Sequence, residues 1–218
     1  MKYLHWDQKT ITDFSDTAVS EMYEKGYVFT RLGKGVMHQT RSVRIDLSKF
    51  ELSSENRRIL KKVPGVMLSE RKAPVADYDF RLGKMAKDFY DTKFGPGIMS
   101  AQKVKEMLTD ASKSNFNLML DFSDPEGHAI CYAGPAMLHY SYPFYPLGSS
   151  PKDMGLGMMT KAAEWARSSG KRHIYLGSLQ RPSDTYKLQF SGLEWFDGKA
   201  WQTDLDAVKK ILSALSTS

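Results

Sequence analysis

Apolar residues recur along the chain at two spacings, one typical of helices and one typical of strands. Phe14, Ala18 and Met22 recur every four residues, which predicts a helix that Thr12 caps and Gly26 ends. Evidence of the same kind predicts helices over 12–25, 55–62, 77–90, 100–112, 158–167 and 203–214. Alternation and short apolar runs predict strands over 26–31, 36–47, 66–71, 117–122, 129–132, 136–142 and 172–176.

The order of these elements favours an α/β sheet. In the second half of the chain, three predicted strands are followed by a helix and another strand, an order that requires a crossover connection. The first two of the three are joined by Asp124-Pro125-Glu126-Gly127, residues typical of a tight turn, and are therefore predicted to pair.

Composition excludes several classes of protein. Of the 218 residues, 41% are apolar and 12% aromatic, too many for a disordered chain. Because Cys131 is the one cysteine, an intramolecular disulfide, a multi-cysteine zinc site and a cysteine-held iron–sulfur cluster are excluded. Its neighbours predict a buried strand residue. Neither a membrane-length apolar run nor a signal peptide is present, so we expect a soluble, cytoplasmic protein without a membrane partner.

The net charge of +6 is modest and alone does not separate a polyanion-binding protein from a well-solvated one. Its distribution is more informative, because four cations share one face of the predicted helix 55–62. They either contact nucleic-acid phosphates or form a solvated face: Arg57, Arg58, Lys61 and Lys62. The five histidines lack metal-ligand spacing, so we expect no metal.

A glycine-containing segment, Asp153-Met154-Gly155-Leu156-Gly157-Met158, lies between a predicted strand and a predicted helix. Glycines at such a position let backbone N–H groups approach a ligand, and a helix N-terminus favours anions. GNAT-class acyltransferases hold their acyl donor at this position, although a tight turn explains the glycines equally well. Asp153 either accepts a proton from an amine or only caps the helix.

Aromatic and glycine motifs follow in a defined order near the C-terminus. They are Tyr175-Leu176-Gly177, Tyr186-Lys187-Leu188-Gln189-Phe190, Gly192-Leu193-Glu194-Trp195 and Asp197-Gly198-Lys199-Ala200-Trp201. In this order, and after the glycine segment, they resemble the C-terminal half of the aminoacyl-tRNA–protein transferases. That family includes eukaryotic arginyltransferases and bacterial leucyltransferases that act on N-terminal Asp or Glu.

The N-terminal half resembles the same family. Gly26-Tyr27-Val28-Phe29, Arg41-Ser42-Val43-Arg44-Ile45-Asp46-Leu47 and Arg57-Arg58-Ile59-Leu60-Lys61-Lys62 follow the order of its N-terminal block. Two departures stand out. Met37 and Thr40 occupy the region where the family has Cys-x-x-Cys, and the Pro-x-Glu pattern is replaced by Gly192-Leu193-Glu194.

The resemblance implies a GNAT-like α/β (α+β) fold, with a mixed sheet flanked by helices and two GNAT-like sub-structures. We predict an N-terminal portion with the basic helix, 1–112, and a transferase core, 113–218. The implied activity is transfer of an amino acid from aminoacyl-tRNA to an amine, either the N-terminus of a protein or peptide or a small amine. The alternatives are a CoA-dependent N-acetyltransferase, which takes acetyl-CoA, and a non-catalytic tRNA-binding module.

Each candidate residue has a functional and a structural interpretation. Aminolysis of an activated ester needs alignment, a neutral amine and oxyanion stabilisation; it needs no triad, and we expect no cofactor beyond the aminoacyl-tRNA co-substrate. Catalytic roles are predicted for Tyr186, Lys187 and Asp153. Donor or tRNA binding is predicted for Gly155, Leu156, Gly157, Arg57, Arg58, Lys61 and Lys62. Acceptor binding is predicted for Arg41, Arg44, Tyr140 and Tyr142, the tyrosines alternatively stacking on a nucleotide. Core packing and surface ion pairs are the structural alternatives.

Overall fold

The computed structural model describes residues 3–63 and 65–215. Its helices are α1 (Asp16–Glu24), α2 (Ser54–Lys62), α3 (Phe80–Phe94), α4 (Ala101–Thr109), α5 (Met154–Ser168) and α6 (Leu205–Ala214). Its strands are β1 (Asp7–Thr10), β2 (Tyr27–Phe29), β3 (Val36–Gln39), β4 (Ser42–Asp46), β5 (Met67–Lys72), β6 (Leu118–Ser123), β7 (Gly127–Ala133), β8 (Met137–Phe144), β9 (His173–Ser178), β10 (Leu193–Phe196) and β11 (Trp201–Gln202). A 3-10 helix spans Pro182–Gln189.

Two sheets organise the chain. A three-stranded antiparallel sheet has the order β1-β3-β2, and an eight-stranded sheet has the order β11-β10-β4-β9-β8-β7-β6-β5. In the larger sheet the β8–β9 pair is parallel, and α5 forms the crossover between these two strands. The predicted α/β class, with a mixed sheet flanked by helices, is confirmed. Cys131 is buried on β7, as predicted.

The large sheet draws strands from both predicted portions. β4 and β5 come from residues before 112, and β4 lies between β10 and β9, which come from the C-terminal part of the chain. The division into 1–112 and 113–218 stays a prediction, and its outer ends, residues 1 and 218, lie outside the described residues. Within the described part of the chain, no helix combines the length and apolarity needed to cross a membrane.

Local capping shifts two predicted helix starts. α1 begins at Asp16 rather than Thr12, because the hydroxyl of Ser15 accepts a hydrogen bond from the Ala18 N–H at 3.3 Å. α2 begins as expected, and Ser53 and Asn56 cap it reciprocally. α3 starts three residues later than predicted, after an Asp79 cap.

The predicted strand 36–47 is wrong as one element, because it is two strands in two different sheets. β3 pairs with β1 and β2, whereas β4 pairs with β9 and β10. The chain changes sheet at Thr40 and Arg41, where Thr40 donates its hydroxyl to the Leu4 carbonyl. The alternation that predicted one strand continues across the junction and therefore conceals it.

The glycine segment is not a loop, because α5 begins at Met154, four residues earlier than predicted. Both glycines lie in its first turn. A Cβ on Gly157 would lie 2.5 Å from Cγ2 of Val63, the residue that ends α2. Gly157 therefore lets α2 and α5 approach each other, which is a packing role.

Replacing Gly157 with alanine is expected to destabilise the fold by about 1–3 kcal/mol. Alanine gains about 1 kcal/mol over glycine in a helix interior, but the stiff, β-branched Val63 cannot easily move away. Urea unfolding of Gly157→Ala measures the net effect. The control is the same glycine substitution in a Val63→Ala background, where the clash is absent. Its cost relative to Val63→Ala should be smaller than its cost in the wild-type protein. An equal cost in both backgrounds would contradict the packing role.

Candidate active site

The candidate site lies where β8 and β9 diverge. The two strands pair from Met137–His173 to His139–Tyr175 and no further. β9 then turns at Gly177, whose φ of +76° favours glycine, and the chain passes into the 3-10 helix. This helix carries two of the predicted catalytic residues, Tyr186 and Lys187, to the divergence.

Lys187 is buried beside the end of β9. Its Nζ donates to the carbonyl of Ser178 at 2.9 Å, and a Cβ on Gly177 would lie 4.0 Å from that Nζ. Burial lowers the pKa of the Lys187 ammonium, against a smaller opposing effect of Asp184. An ammonium has three protons, so donors of Lys187 remain for a ligand after the bond to Ser178. The catalytic role of Lys187 stays a prediction, and the structure gives it a buried position at the strand divergence.

His139 is buried close to Lys187 and pairs with a tyrosine. The hydroxyl of Tyr23 lies 2.9 Å from Nδ1 of His139 and also accepts from the Phe29 N–H at 3.3 Å. A phenol oxygen can donate or accept beside its bond from Phe29, so the direction of the Tyr23–His139 bond follows the imidazole tautomer. Burial lowers the pKa of His139 to about 3, and the charge of Lys187 adds to the effect. The imidazole is therefore neutral at pH 7.

The neutral His139 should make the fold sensitive to mild acid. The unfolded imidazole takes up a proton near pH 6.5, whereas the folded one does not until about pH 3, so stability falls as pH drops below 6.5. The loss from His139 at pH 5 is about 2 kcal/mol relative to pH 7. Urea unfolding at both pH values should show a smaller difference for His139→Gln. The same difference in both proteins would contradict the assignment. His173, whose pKa burial lowers to about 4, supplies part of the remaining pH dependence.

The tyrosines around the divergence differ in exposure. Tyr186 is 45% exposed, whereas Tyr140 is a core residue whose hydroxyl has no hydrogen-bond partner among the described residues. Tyr142 is partly buried; burial raises the pKa of its phenol, and the charge of Arg31 opposes this. Tyr140 therefore packs in the core with an unpaired hydroxyl, and its acceptor role stays a prediction, while Tyr142 and Tyr186 border the surface.

Three of the four basic side chains on α2 already have hydrogen-bond or ion-pair partners in the protein. Arg58 pairs with Glu55 on the same helix, and Arg57 donates to the Leu52 carbonyl. Lys62 forms an ion pair with Asp153 at 2.7 Å. Lys61 is exposed at the end of the helix. The face predicted from the spacing exists, but its ion pairs reduce the charge it offers to phosphates, so tRNA binding there stays a prediction.

The Asp153 carboxylate is a poor proton acceptor. Its ion pair with Lys62 lowers the pKa of the carboxyl group, which makes it a weak base. Its side chain makes no capping hydrogen bond to α5 among the described residues. A catalytic role as an amine base is therefore not favoured, and the carboxylate instead joins α2 to the start of α5.

The N-terminus of α5 offers few donors to a ligand. The N–H group of Met154 donates to the Pro151 carbonyl, and those of Leu156 and Gly157 donate to the Asp153 carbonyl. The backbone of Gly155 faces the Tyr145 hydroxyl, which would lie 3.2 Å from an added Cβ. The Asp153 carboxylate beside the same turn is already paired with Lys62. Donor binding by Gly155, Leu156 and Gly157 thus finds no support in the geometry.

The two arginines predicted to bind an acceptor lie in different environments. Arg44 is buried and donates to Glu24 and to Glu194, both at 2.8 Å, and its guanidinium lies 4.1 Å from the Trp201 ring centroid. These contacts give Arg44 a structural role, so the expected acceptor contact is not supported. Arg41 is partly buried, and its Nη1 reaches the Leu179 carbonyl at 3.4 Å. Burial lowers the pKa of Arg41, and no carboxylate of the described residues forms an ion pair with it.

Sequence reasoning missed Gln180, whose side chain joins three segments of the chain beside the site. Its side-chain amide accepts from the Leu4 N–H at 2.7 Å and donates to the hydroxyls of Thr40 and Ser178, each at 2.9 Å. It therefore ties the N-terminal segment to the strand end that holds Lys187. His139 and Ser178 were missed as well, because their roles depend on spatial neighbours rather than on a local motif.

Comparisons with known proteins agree with the resemblance seen in the sequence. No protein-family model matches the chain. It is 24% identical over 178 residues to the aspartate/glutamate leucyltransferase of Brucella suis, covering 74% of this chain and 70% of that protein. The resemblance to the aminoacyl-tRNA–protein transferases is thus confirmed at the level of a divergent relative.

Solved structures with similar folds include L-PGS from Bacillus licheniformis, with a TM-score of 0.49 and 12% identity over 91% of this chain and 69% of that chain. A GCN5-related glucosamine N-acetyltransferase region of a fungal multi-domain β-N-acetylglucosaminidase has a TM-score of 0.48 and 10% identity, over 86% of this chain and 22% of that chain.

Proposed function

We propose that this protein is an aminoacyltransferase that moves an amino acid from aminoacyl-tRNA to an amine acceptor, the N-terminus of a protein or peptide. The observation that carries the proposal is the buried Lys187 ammonium, held by Ser178 where β8 and β9 diverge. The similarity to the aspartate/glutamate leucyltransferase supports the choice of donor and acceptor.

The reaction is aminolysis of an ester. The acceptor nitrogen attacks the ester carbonyl carbon, a C–N bond forms, and the carbonyl electrons move to oxygen. The tetrahedral oxyanion then collapses, the bond to the ribose oxygen breaks, and the proton lost by the amine ends on that ribose oxygen. Lys187 is suited to stabilise the oxyanion, because its remaining N–H groups lie in a buried environment where hydrogen bonds to an anion are strong.

The depressed pKa of Lys187 suits the second half of the reaction. An ammonium that releases its proton more readily than an exposed lysine can protonate the departing ribose oxygen and regain a proton from the attacking amine. The neutral His139 beside it leaves the ammonium as the positive centre at this point. Tyr186, next in sequence and half-exposed, borders the path from the surface.

Acetyl-CoA is a less suitable donor for this site. A CoA pyrophosphate would approach the first turn of α5, where Asp153 and Pro151 carbonyls already accept from the backbone N–H groups. Because these N–H groups are occupied, they are not free to bind a pyrophosphate, which supports aminoacyl-tRNA over acetyl-CoA as the donor.

Transfer of radiolabelled amino acids tests the proposal. The purified protein is incubated with each of the twenty aminoacyl-tRNAs in turn and with peptides that begin with Asp, Glu, Asn or Ala. We expect label in peptide from one or a few tRNAs, leucyl-tRNA being tried first. The acidic N-termini should be the preferred acceptors, and the uncompensated Arg41 is a candidate for that preference.

The alternatives predict different results. Tight tRNA binding without transfer from any aminoacyl-tRNA would identify a non-catalytic tRNA-binding module. Acetylation of the peptides by acetyl-CoA, without tRNA-dependent transfer, would identify an N-acetyltransferase. Either outcome would refute the proposed function.

A further inference from the structure

An aromatic ridge borders the candidate site on the side of α3. Phe94, in the last turn of that helix, is 42% exposed and packs against Tyr90 with ring centroids 5.5 Å apart. Phe89 supports it from below and also contacts Tyr145, at 4.9 Å. The Phe94 ring thus rests on buried aromatic neighbours and stays partly exposed.

A guanidinium covers part of this ring. Arg181 lies with its Cζ 5.0 Å from the Phe94 ring centroid. The Asp184 carboxylate nearby accepts from the backbone N–H groups of Gln180 and Arg181, at 2.7 and 2.9 Å. Within the described residues, the partly exposed Arg181 guanidinium forms no ion pair.

The location of this pair links it to the reaction. Arg181 is the residue before the 3-10 helix that carries Tyr186 and Lys187. Tyr186 lies close enough to Tyr90, which supports Phe94, to add to the rise that burial causes in the pKa of the Tyr90 phenol. An extended ligand that reaches Lys187 from the α3 side would therefore pass the Phe94 ring and the Arg181 guanidinium.

A rigid aromatic face with an adjacent unpaired arginine is the arrangement that holds unstacked nucleobases. Each base can stack on the ring or on the planar guanidinium, and the positive charge attracts the phosphate that follows. An acidic peptide would use the arginine but would gain little from the partly exposed aromatic ring. The combination favours single-stranded RNA.

We propose that Phe94 and Arg181 form a stacking platform for the unpaired 3′ nucleotides of an RNA whose terminal ester reaches Lys187. The platform rests on the proposed function, because it assigns a contact for the donor of that reaction. It replaces the nucleotide-stacking role considered for Tyr140, which the structure buries.

Equilibrium binding of two RNA hairpins tests the platform. One hairpin carries a 3′ single-stranded tail of four nucleotides, and the other ends blunt; both are fluorescently labelled and compared by anisotropy at one fixed salt concentration. Wild-type protein should bind the tailed hairpin more tightly. Phe94→Ala should weaken binding of the tailed hairpin by about 5- to 100-fold and leave the blunt hairpin unaffected.

Phe80 provides a matched control, since it lies on the same helix and is 74% exposed at its other end. Phe80→Ala should change neither affinity. Phe94→Leu keeps an apolar side chain for packing but lacks the aromatic face, so it should behave like Phe94→Ala. Arg181→Gln should weaken binding of the tailed hairpin, whereas Arg81→Gln, at an exposed arginine, should not.

Several results would overturn the platform. Equal affinity of wild-type protein for both hairpins would do so, as would equal losses in Phe94→Ala and Phe80→Ala. If Phe94→Ala weakens binding of an acceptor peptide but not of the tailed hairpin, the ridge binds peptide instead. If wild-type protein transfers amino acids and Phe94→Ala leaves the KM for aminoacyl-tRNA unchanged, the platform fails while the proposed function stands. If the tailed hairpin binds through Phe94 but no amino acid is transferred, the platform stands and the proposed function fails.

Discussion

Replacement of Lys187 by methionine is expected to reduce amino-acid transfer by about 100- to 1000-fold, the usual cost of losing an oxyanion donor. The loss should be in kcat, because the ammonium meets its strongest partner only when the ester carbonyl becomes an oxyanion. Methionine is similar in length and apolar, and it fills the buried position that Lys187 occupies. The fold should therefore survive, with the Ser178 carbonyl losing one donor.

Lys171 offers a matched control for this substitution. Its Nζ also donates to a backbone carbonyl, that of Gly134 at 2.7 Å, but it lies in the turn before β9 and not at the strand divergence. Lys171→Met should retain wild-type transfer. Rapid-quench measurement of single-turnover rates, with circular dichroism of each variant, separates chemistry from folding. Undiminished transfer by Lys187→Met, or equal losses in both variants, would exclude the catalytic role.

Replacement of Arg44 by alanine is expected to destabilise the protein by about 3–5 kcal/mol, because it leaves an uncompensated charge behind. Glu194 is only 14% exposed and faces Arg44 at 2.8 Å, whereas Glu24 remains half in solvent. The guanidinium also packs on the Trp201 ring, so its removal leaves a space in the core. Urea unfolding should show a clear decrease in the midpoint.

The exposed pair of Arg58 and Glu55 is the control for this result. Both side chains are about half exposed to solvent, and Arg58→Ala should cost less than about 1 kcal/mol. The double variant Arg44→Met/Glu194→Leu removes both charges and should recover much of the loss. If Arg44→Ala unfolds at the same urea concentration as Arg58→Ala, the network does not support the fold, and acceptor binding by Arg44 becomes the better explanation.

The sequence predicted elements well where local signals and tertiary packing agree. The hairpin of β6 and β7 and the capped helix α2 follow directly from turn residues and from Ser53. Prediction failed where the same local pattern serves two environments. The apolar alternation over 36–47 continues while the chain moves from one sheet to another, and periodicity carries no information about which partner strand is adjacent.

The candidate site was only partly predictable for a similar reason. Lys187 was identified because it belongs to an ordered motif, and the structure gives it a buried position at the strand divergence. Gly157 and Asp153 were also noticed, but their chemistry is decided by Val63 and Lys62, residues about ninety positions away. Asp184, Gln180 and Phe94 carry no motif, and their roles depend on contacts that form only in the folded chain.

The position of β4 has a consequence for how the chain can fold. This strand, finished by residue 46, is flanked on both sides by strands that begin at residues 173 and 193. Until those strands exist, both edges of β4 lack their partners, and the search for them closes long loops. Cutting the chain near residue 112 should yield two fragments that are each poorly folded alone and that restore the sheet when mixed. The C-terminal fragment alone would lack β4 and would therefore have a gap between β10 and β9, the strand that leads to Lys187.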